Sequence, residues 1–266
     1  MARISRKAAV LVGVLALLGA MAPVAHAELT ERGDLFVRFN GGINPNALPR
    51  ENLAPISVDV EGTVKTLSGE RPPALRQIKI ELNRGGRIDS TGLPVCSYSD
   101  IVAASPQQAM GVCGPARVGE GIYRANTAFP EQDTFPSRGR IIAFNSVSKG
   151  HDAILAHIYG SKPVPITRII VFHIHRTRGT FGTVLTGNLP ISVNRYGYVE
   201  TIALSLFRRY AYRGRTRSYI SAACDAPAGF FSAFFPFART SMTFEDGRTL
   251  SSTLTRSCAV NRRADG

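Results

Sequence analysis

Apolar residues recur at every second position along most of this chain, and that period constrains the fold more than any other feature. Leu35, Val37 and Phe39 alternate with Phe36, Arg38 and Asn40, and Val58, Val60 and Val64 alternate with Asp59, Glu61, Thr63 and Lys65. Ile78, Ile80 and Leu82 alternate with Lys79 and Glu81, and Ile154-Ala156-Ile158, Ile170-Phe172-Ile174 and Ile202-Leu204-Leu206 repeat the pattern. A β-strand points successive side chains to opposite faces, so a period of two means antiparallel sheets with one dry and one wet face. Turn residues punctuate the segments at Gly41-Gly42, Gly85-Gly86, 160–165, Arg213-Gly214 and Asp246-Gly247. The last pair predicts a type I′ hairpin joining 241–245 to 248–253. With 25 Gly and 16 Pro scattered through 266 residues, long helices are excluded, and only 97–110 reads as a short helix. The expectation is all-β: an antiparallel β-sandwich of about ten to twelve strands with one short disulfide-clamped helix, about 97–110.

The first residues read as an address. Arg3, Arg6 and Lys7 precede an uncharged apolar run over 8–21, and Ala25-His26-Ala27 supplies small residues for cleavage after Ala27. The run is shorter than the roughly 20 residues a membrane-spanning helix needs. Residues 1–27 are therefore expected to be a signal peptide, and the remaining chain to be secreted or held at the cell envelope. Residues 28–266 read as one β-sandwich domain, the alternative being two β subdomains divided near 128–136.

Cys96, Cys113, Cys224 and Cys258 all fall in the exported part, and an even count there favours disulfides. Of the three connectivities open to four cysteines, the local one is preferred: Cys96 with Cys113 and Cys224 with Cys258. No CxxC pair exists, and the spacings fit no zinc finger. Gly92-Leu93-Pro94-x-Cys96 with Cys113-Gly114-Pro115-Ala116, and Cys224-x-Ala226-Pro227-x-Gly229-Phe230 with Phe235-Pro236-Phe237-Ala238 and Cys258, form paired cysteine segments. They resemble those of an uncharacterised group of secreted, β-rich, four-cysteine actinobacterial proteins. That resemblance implies export and a β-rich fold and carries no catalytic residue across.

Short catalytic signatures are missing: no Gly-x-Ser-x-Gly elbow, no His-Glu-x-x-His and no phosphate-binding Gly-rich loop. Three clusters remain. His151, His157, His173 and His175 all carry odd numbers on two strands expected to form a hairpin. Any register with an even index sum, 330 or 326 for instance, puts all four on one face. The even face is apolar and should look into the core, leaving the His face to solvent or a second sheet. His157, His173 and His175 are the candidate metal ligands, because two His at i, i+2 plus one from a neighbouring strand can make a three-nitrogen site. Surface or half-buried histidines on a polar sheet face are the simpler reading, and no cofactor is expected.

The formal charge is +13, from 32 Lys+Arg against 19 Asp+Glu, and lysine is confined to Lys7, Lys65, Lys79, Lys149 and Lys162. An arginine bias of this kind can reflect base composition alone. Arg208, Arg209, Arg213, Arg215 and Arg217 nevertheless crowd around one turn, interleaved with Tyr210, Tyr212 and Tyr219. Guanidinium forks suit phosphate and carboxylate, so these arginines and Tyr212 are candidates for an anionic ligand. An anionic envelope polymer or a lipid surface fits; an extracellular setting argues against nucleic acid. A run from Gly229 to Phe237 packs five Phe into a loop that either plugs the core or stands exposed as a sticky patch. Carboxylates are sparse and scattered, so a glycosidase pair at fixed separation is not indicated.

These residues imply a secreted, non-catalytic β-sandwich protein with a binding or structural role at the cell envelope or outside the cell. The alternative is a secreted hydrolase using the His151, His157, His173 and His175 face, with or without a metal. A third possibility is a lipid-facing protein using the Phe-rich loop.

Overall fold

A computed structural model describes residues 27–127, 133–162, 164–190 and 197–261. Nearly all of the expected leader, Ala25 included, lies outside the described residues, as do residues 128–132 of the candidate domain boundary. The strands are β1 (Glu28–Arg32), β2 (Leu35–Asn44), β3 (Ala47–Leu48), β4 (Ala54–Pro55), β5 (Ser57–Thr66), β6 (Leu75–Asn83) and β7 (Gly86–Ile88). Next come β8 (Arg117–Thr127), β9 (Phe135–Ser148), β10 (His151–Gly160), β11 (Ile166–Arg176), β12 (Phe181–Asn188) and β13 (Gly197–Leu206). The chain ends with β14 (Arg209–Tyr212), β15 (Arg215–Ser218), β16 (Ile220–Ala222), β17 (Ser232–Phe244) and β18 (Thr249–Val260).

One sheet takes most of these strands, in the order β1-β2-β5-β13-β8-β9-β10-β11-β12-β6-β17-β18-β3. All of its pairs are antiparallel except the two-residue contact of β3 with β18. The sheet curls until β18 returns beside β1 and β2. There the join is made by side chains: Thr30 Oγ1 donates to the Ser251 carbonyl at 3.0 Å, and Arg256 Nη1 reaches Glu28 Oε1 at 3.0 Å. Arg248 ties the same seam to Asp34 at 2.7 Å. The all-β, antiparallel fold class holds, and the facing layers belong to a single continuous sheet. A Cβ on Gly62 of β5 would sit 2.6 Å from the Met242 methyl of β17, which shows how closely the layers face each other across the interior.

Alternation builds this interior. Phe39, Val58, Val64, Ile78, Ile141, Ile154, Ile170, Met242 and Leu254 are buried from strands all round the curl. Burying each such side chain contributes about 1.5–3 kcal/mol, which is why the period of two dictates the fold. The small sheet β4-β16-β7 adds Ile88, Ile220 and Ala222 to the same core, and the β14–β15 hairpin pairs apart from the main sheet.

The helical segment departs from expectation. Instead of one helix over 97–110 there are two, α1 (Tyr98–Ile101) and α2 (Pro106–Cys113), followed by a 3-10 turn, Gly114–Ala116. Pro106 has no N–H to continue the first helix. Ser105 sits in extended backbone and forms a capping box with Gln108, starting α2 afresh. Ile101, Ala104, Ala109 and Ala116 press onto Ile142, Phe144, Leu155 and Ile169, forming a second core on the outer side of the sheet. Cys96–Cys113 clamps this cap, and Cys224–Cys258 ties the loop before β17 to β18. Both bridges are the expected ones, and they fit an oxidising environment.

The turn at Asp246-Gly247 also differs. Only Gly247 has positive φ, and Asp246 instead accepts the Arg248 backbone N–H at 3.0 Å, so the turn is not type I′. Both central residues have positive φ at Lys149-Gly150 and at Arg213-Gly214, as a type I′ turn requires.

Candidate anion-binding surface

The basic hairpin owes its shape to Arg213 (φ 50°) and Gly214 (φ 72°), which let β14 and β15 pair with Tyr212 opposite Arg215. Tyr212 is fixed on three sides. The guanidinium of Arg213 lies 5.2 Å from its ring centre and that of Arg217 5.4 Å, each a cation–π contact. Beneath the ring is Gly92, at φ 79°, where a Cβ would fall 2.1 Å from the Tyr212 ring.

The loop carrying Gly92 is pinned in turn. The Tyr210 hydroxyl donates to the Thr91 carbonyl at 2.9 Å, and Arg217 pairs with Asp89 at 3.1 Å. Burial opposes charge on Asp89, but hydrogen bonds from Thr91 and the nearby guanidinia of Arg217 and Arg87 outweigh it and hold the carboxyl below its ordinary range.

The arginines therefore divide by role. Arg217 is spent on Asp89 and Tyr212. Arg208 is half-buried and donates to the Pro115 carbonyl at 3.4 Å. Arg209, Arg213 and Arg215 stand exposed, and among the described residues none of the three meets a carboxylate. Tyr219 is wholly buried, its phenol pushed up by burial, and takes no part in the surface.

The histidines share a face, as their parity demands. The β10–β11 register pairs Ala153 with His173 and His157 with Ile169, an index sum of 326. That face meets neither solvent alone nor a second sheet, because the helical cap covers part of it. His157 is fully buried beneath the cap, with Nε2 2.8 Å from the Ala104 carbonyl that also accepts the Thr167 hydroxyl. Ala104 lies between the two helices, so its carbonyl is available to both. Burial depresses the His157 pKa. His151 and His175 are exposed and His173 half-buried. The structure thus does not join His157 to His173 and His175 as ligands, and among the described residues no three His, Cys, Asp or Glu gather as a metal site.

The Phe-rich segment is divided. Phe230, Phe231 and Phe234 are 63%, 56% and 82% exposed, whereas Phe237 is buried and Phe235 packs on the core. From Ser232 onward this segment is strand rather than loop. Arg50 holds the preceding turn by donating to the carbonyls of Ala226, Pro227 and Phe230.

Arg117, Arg124, Arg138 and Arg140 escaped the sequence reading because they lie on two strands. The available signal was the i, i+2 spacing of Arg138 and Arg140, which puts both on one face. No family model, no curated protein and no solved structure matches this chain.

Proposed function

We propose that the chain is an exported, non-catalytic binding protein, acting at the cell envelope or outside the cell, that holds an anionic polymer on the β14–β15 hairpin. One observation carries this reading: Arg209, Arg213 and Arg215 are exposed without a carboxylate partner among the described residues, on a hairpin locked by Tyr212, Gly92 and Asp89. The locked hairpin backbone holds the three Cα positions in place, which spares part of the ordering cost of binding. Guanidinium forks bind phosphate or carboxylate oxygens two at a time. The excess of basic residues across the chain adds a long-range attraction for polyanions.

The test is titration with poly(glycerol phosphate), comparing the wild type with Arg209→Ser/Arg213→Ser/Arg215→Ser. The triple variant should bind at least about tenfold more weakly at low salt. Equal binding by the two proteins would refute the hairpin site, and wild-type binding to phosphatidylglycerol vesicles but not to the polymer would replace the polymer with a lipid surface.

A further inference from the structure

A second basic site lies on the outer wall of the sheet. Arg124 of β8 and Arg138 of β9 are direct cross-strand partners, and both are exposed. Like charges directly opposite repel. Neither meets a carboxylate among the described residues. Next along the wall, Glu120 is shared between Arg140 at 2.8 Å and Arg117 at 3.4 Å. Glu120, Arg124, Arg138 and Arg140 line an open groove of about 730 Å³ that Ser205 also borders. Three guanidinia to one carboxylate line the groove, and Asp59 and Glu61 border the adjoining depression beyond Ser205.

The root of the hairpin adjoins the start of β8, the strand that carries the groove. The register shift between Arg117 and Gly119 turns Arg117 to the same side as Glu120. The Arg117 guanidinium also lies 5.8 Å from the Phe207 ring centre. Phe207 N–H bonds to the Val118 carbonyl at 2.8 Å, and Arg208 reaches the Pro115 carbonyl, so the root of the hairpin is joined to the start of β8. From Arg117 to Arg124 the strand runs about 20 Å at the usual rise per residue. A lone phosphate spans only a fraction of that distance.

Building on the hairpin reading, we infer that the ligand is a linear polyanion with anionic groups repeated along its length. It lies along a track from Arg209, Arg213 and Arg215, past Arg117 and Arg140, to the facing pair Arg124 and Arg138. The repulsion between that pair is relieved when an anionic group sits between the two guanidinia.

The experiment measures binding of a long poly(glycerol phosphate) chain, its three-unit fragment and inorganic phosphate to four proteins. These are the wild type, Arg124→Ser/Arg138→Ser, the hairpin triple variant, and Arg32→Ser/Arg178→Ser as a charge-matched control on exposed positions elsewhere. The groove variant should lose about tenfold for the long chain and little for the fragment, with a shallower salt dependence. The control should stay within about twofold of wild type. If the hairpin variant loses the long chain while the groove variant keeps it, the track is wrong and the hairpin site survives. If neither variant matters, both readings fall. A control as weak as the groove variant means that only net charge is sensed, and inorganic phosphate competing as well as the long chain means a single small-anion site; either result overturns the track.

Discussion

The β10–β11 wall and the β14–β15 hairpin are both antiparallel pairs that present polar, titratable residues away from the main core, yet they have opposite fates. On the wall, a disulfide-clamped pair of helices settles over the histidine face and buries His157 against the Ala104 carbonyl. On the hairpin, Tyr210, Tyr212 and Arg217 pack against the 89–92 loop, while Arg209, Arg213 and Arg215 stay exposed. A polar cluster thus becomes a candidate site only where nothing in the rest of the chain covers it, and covering is a long-range event.

Breaking the cap should have the largest effect. Cys96→Ala/Cys113→Ala opens a loop of sequence separation 17, and bridges of this size contribute about 3 kcal/mol. Chemical denaturation should show that loss, and His157 should become reactive to diethyl pyrocarbonate while hairpin-dependent polymer binding survives in the folded protein. A His157 that stays protected would mean that the cap docks without its clamp.

On the other side of the comparison, Gly92→Ala places a side chain at positive φ under the Tyr212 ring. A strained backbone of this kind costs about 1–3 kcal/mol. The substitution should lower Tm and weaken polymer binding, because the platform tilts; unchanged binding would show that the lock on Tyr212 is not needed.

The pH response should separate the two regions next. His157 is buried neutral with its pKa depressed, so the unfolded chain takes up a proton more readily than the folded one. Its stabilising contribution is complete above the unfolded value, near pH 6.5, and is lost as the pH falls, by up to about 1.4 kcal/mol per unit until the lower folded value is reached. His157→Gln should flatten that part of the stability profile. The smallest stability effect belongs to the exposed arginines: each single Arg→Ser change at Arg209, Arg213 or Arg215 should alter folding stability by no more than about 0.5 kcal/mol.

Much of this was legible in the sequence. Alternation specified the strands, odd numbering placed all four histidines on one face, and the local cysteine spacing matched both bridges. What escaped depended on contacts distant in sequence. Nothing local reveals that the 98–113 helices dock over His157, or that Arg124 meets Arg138, since pairing between β8 and β9 decides that. The Phe-rich run reads as one loop because five Phe within eight residues, on both parities, mask the alternation. A bulge between Pro236 and Ala238 then buries Phe237 and Ala238 together, while Phe234 points out.

Three hairpin guanidinia that meet no carboxylate among the described residues engage the polyanion in this reading, and the most direct test is the slope of log affinity against log salt for poly(glycerol phosphate). Each phosphate contact contributes about 0.7–0.9 to that slope in nucleic acids. The account predicts a slope shallower by roughly two in Arg209→Ser/Arg213→Ser/Arg215→Ser than in the wild type. Identical slopes, with identical affinities, would contradict it.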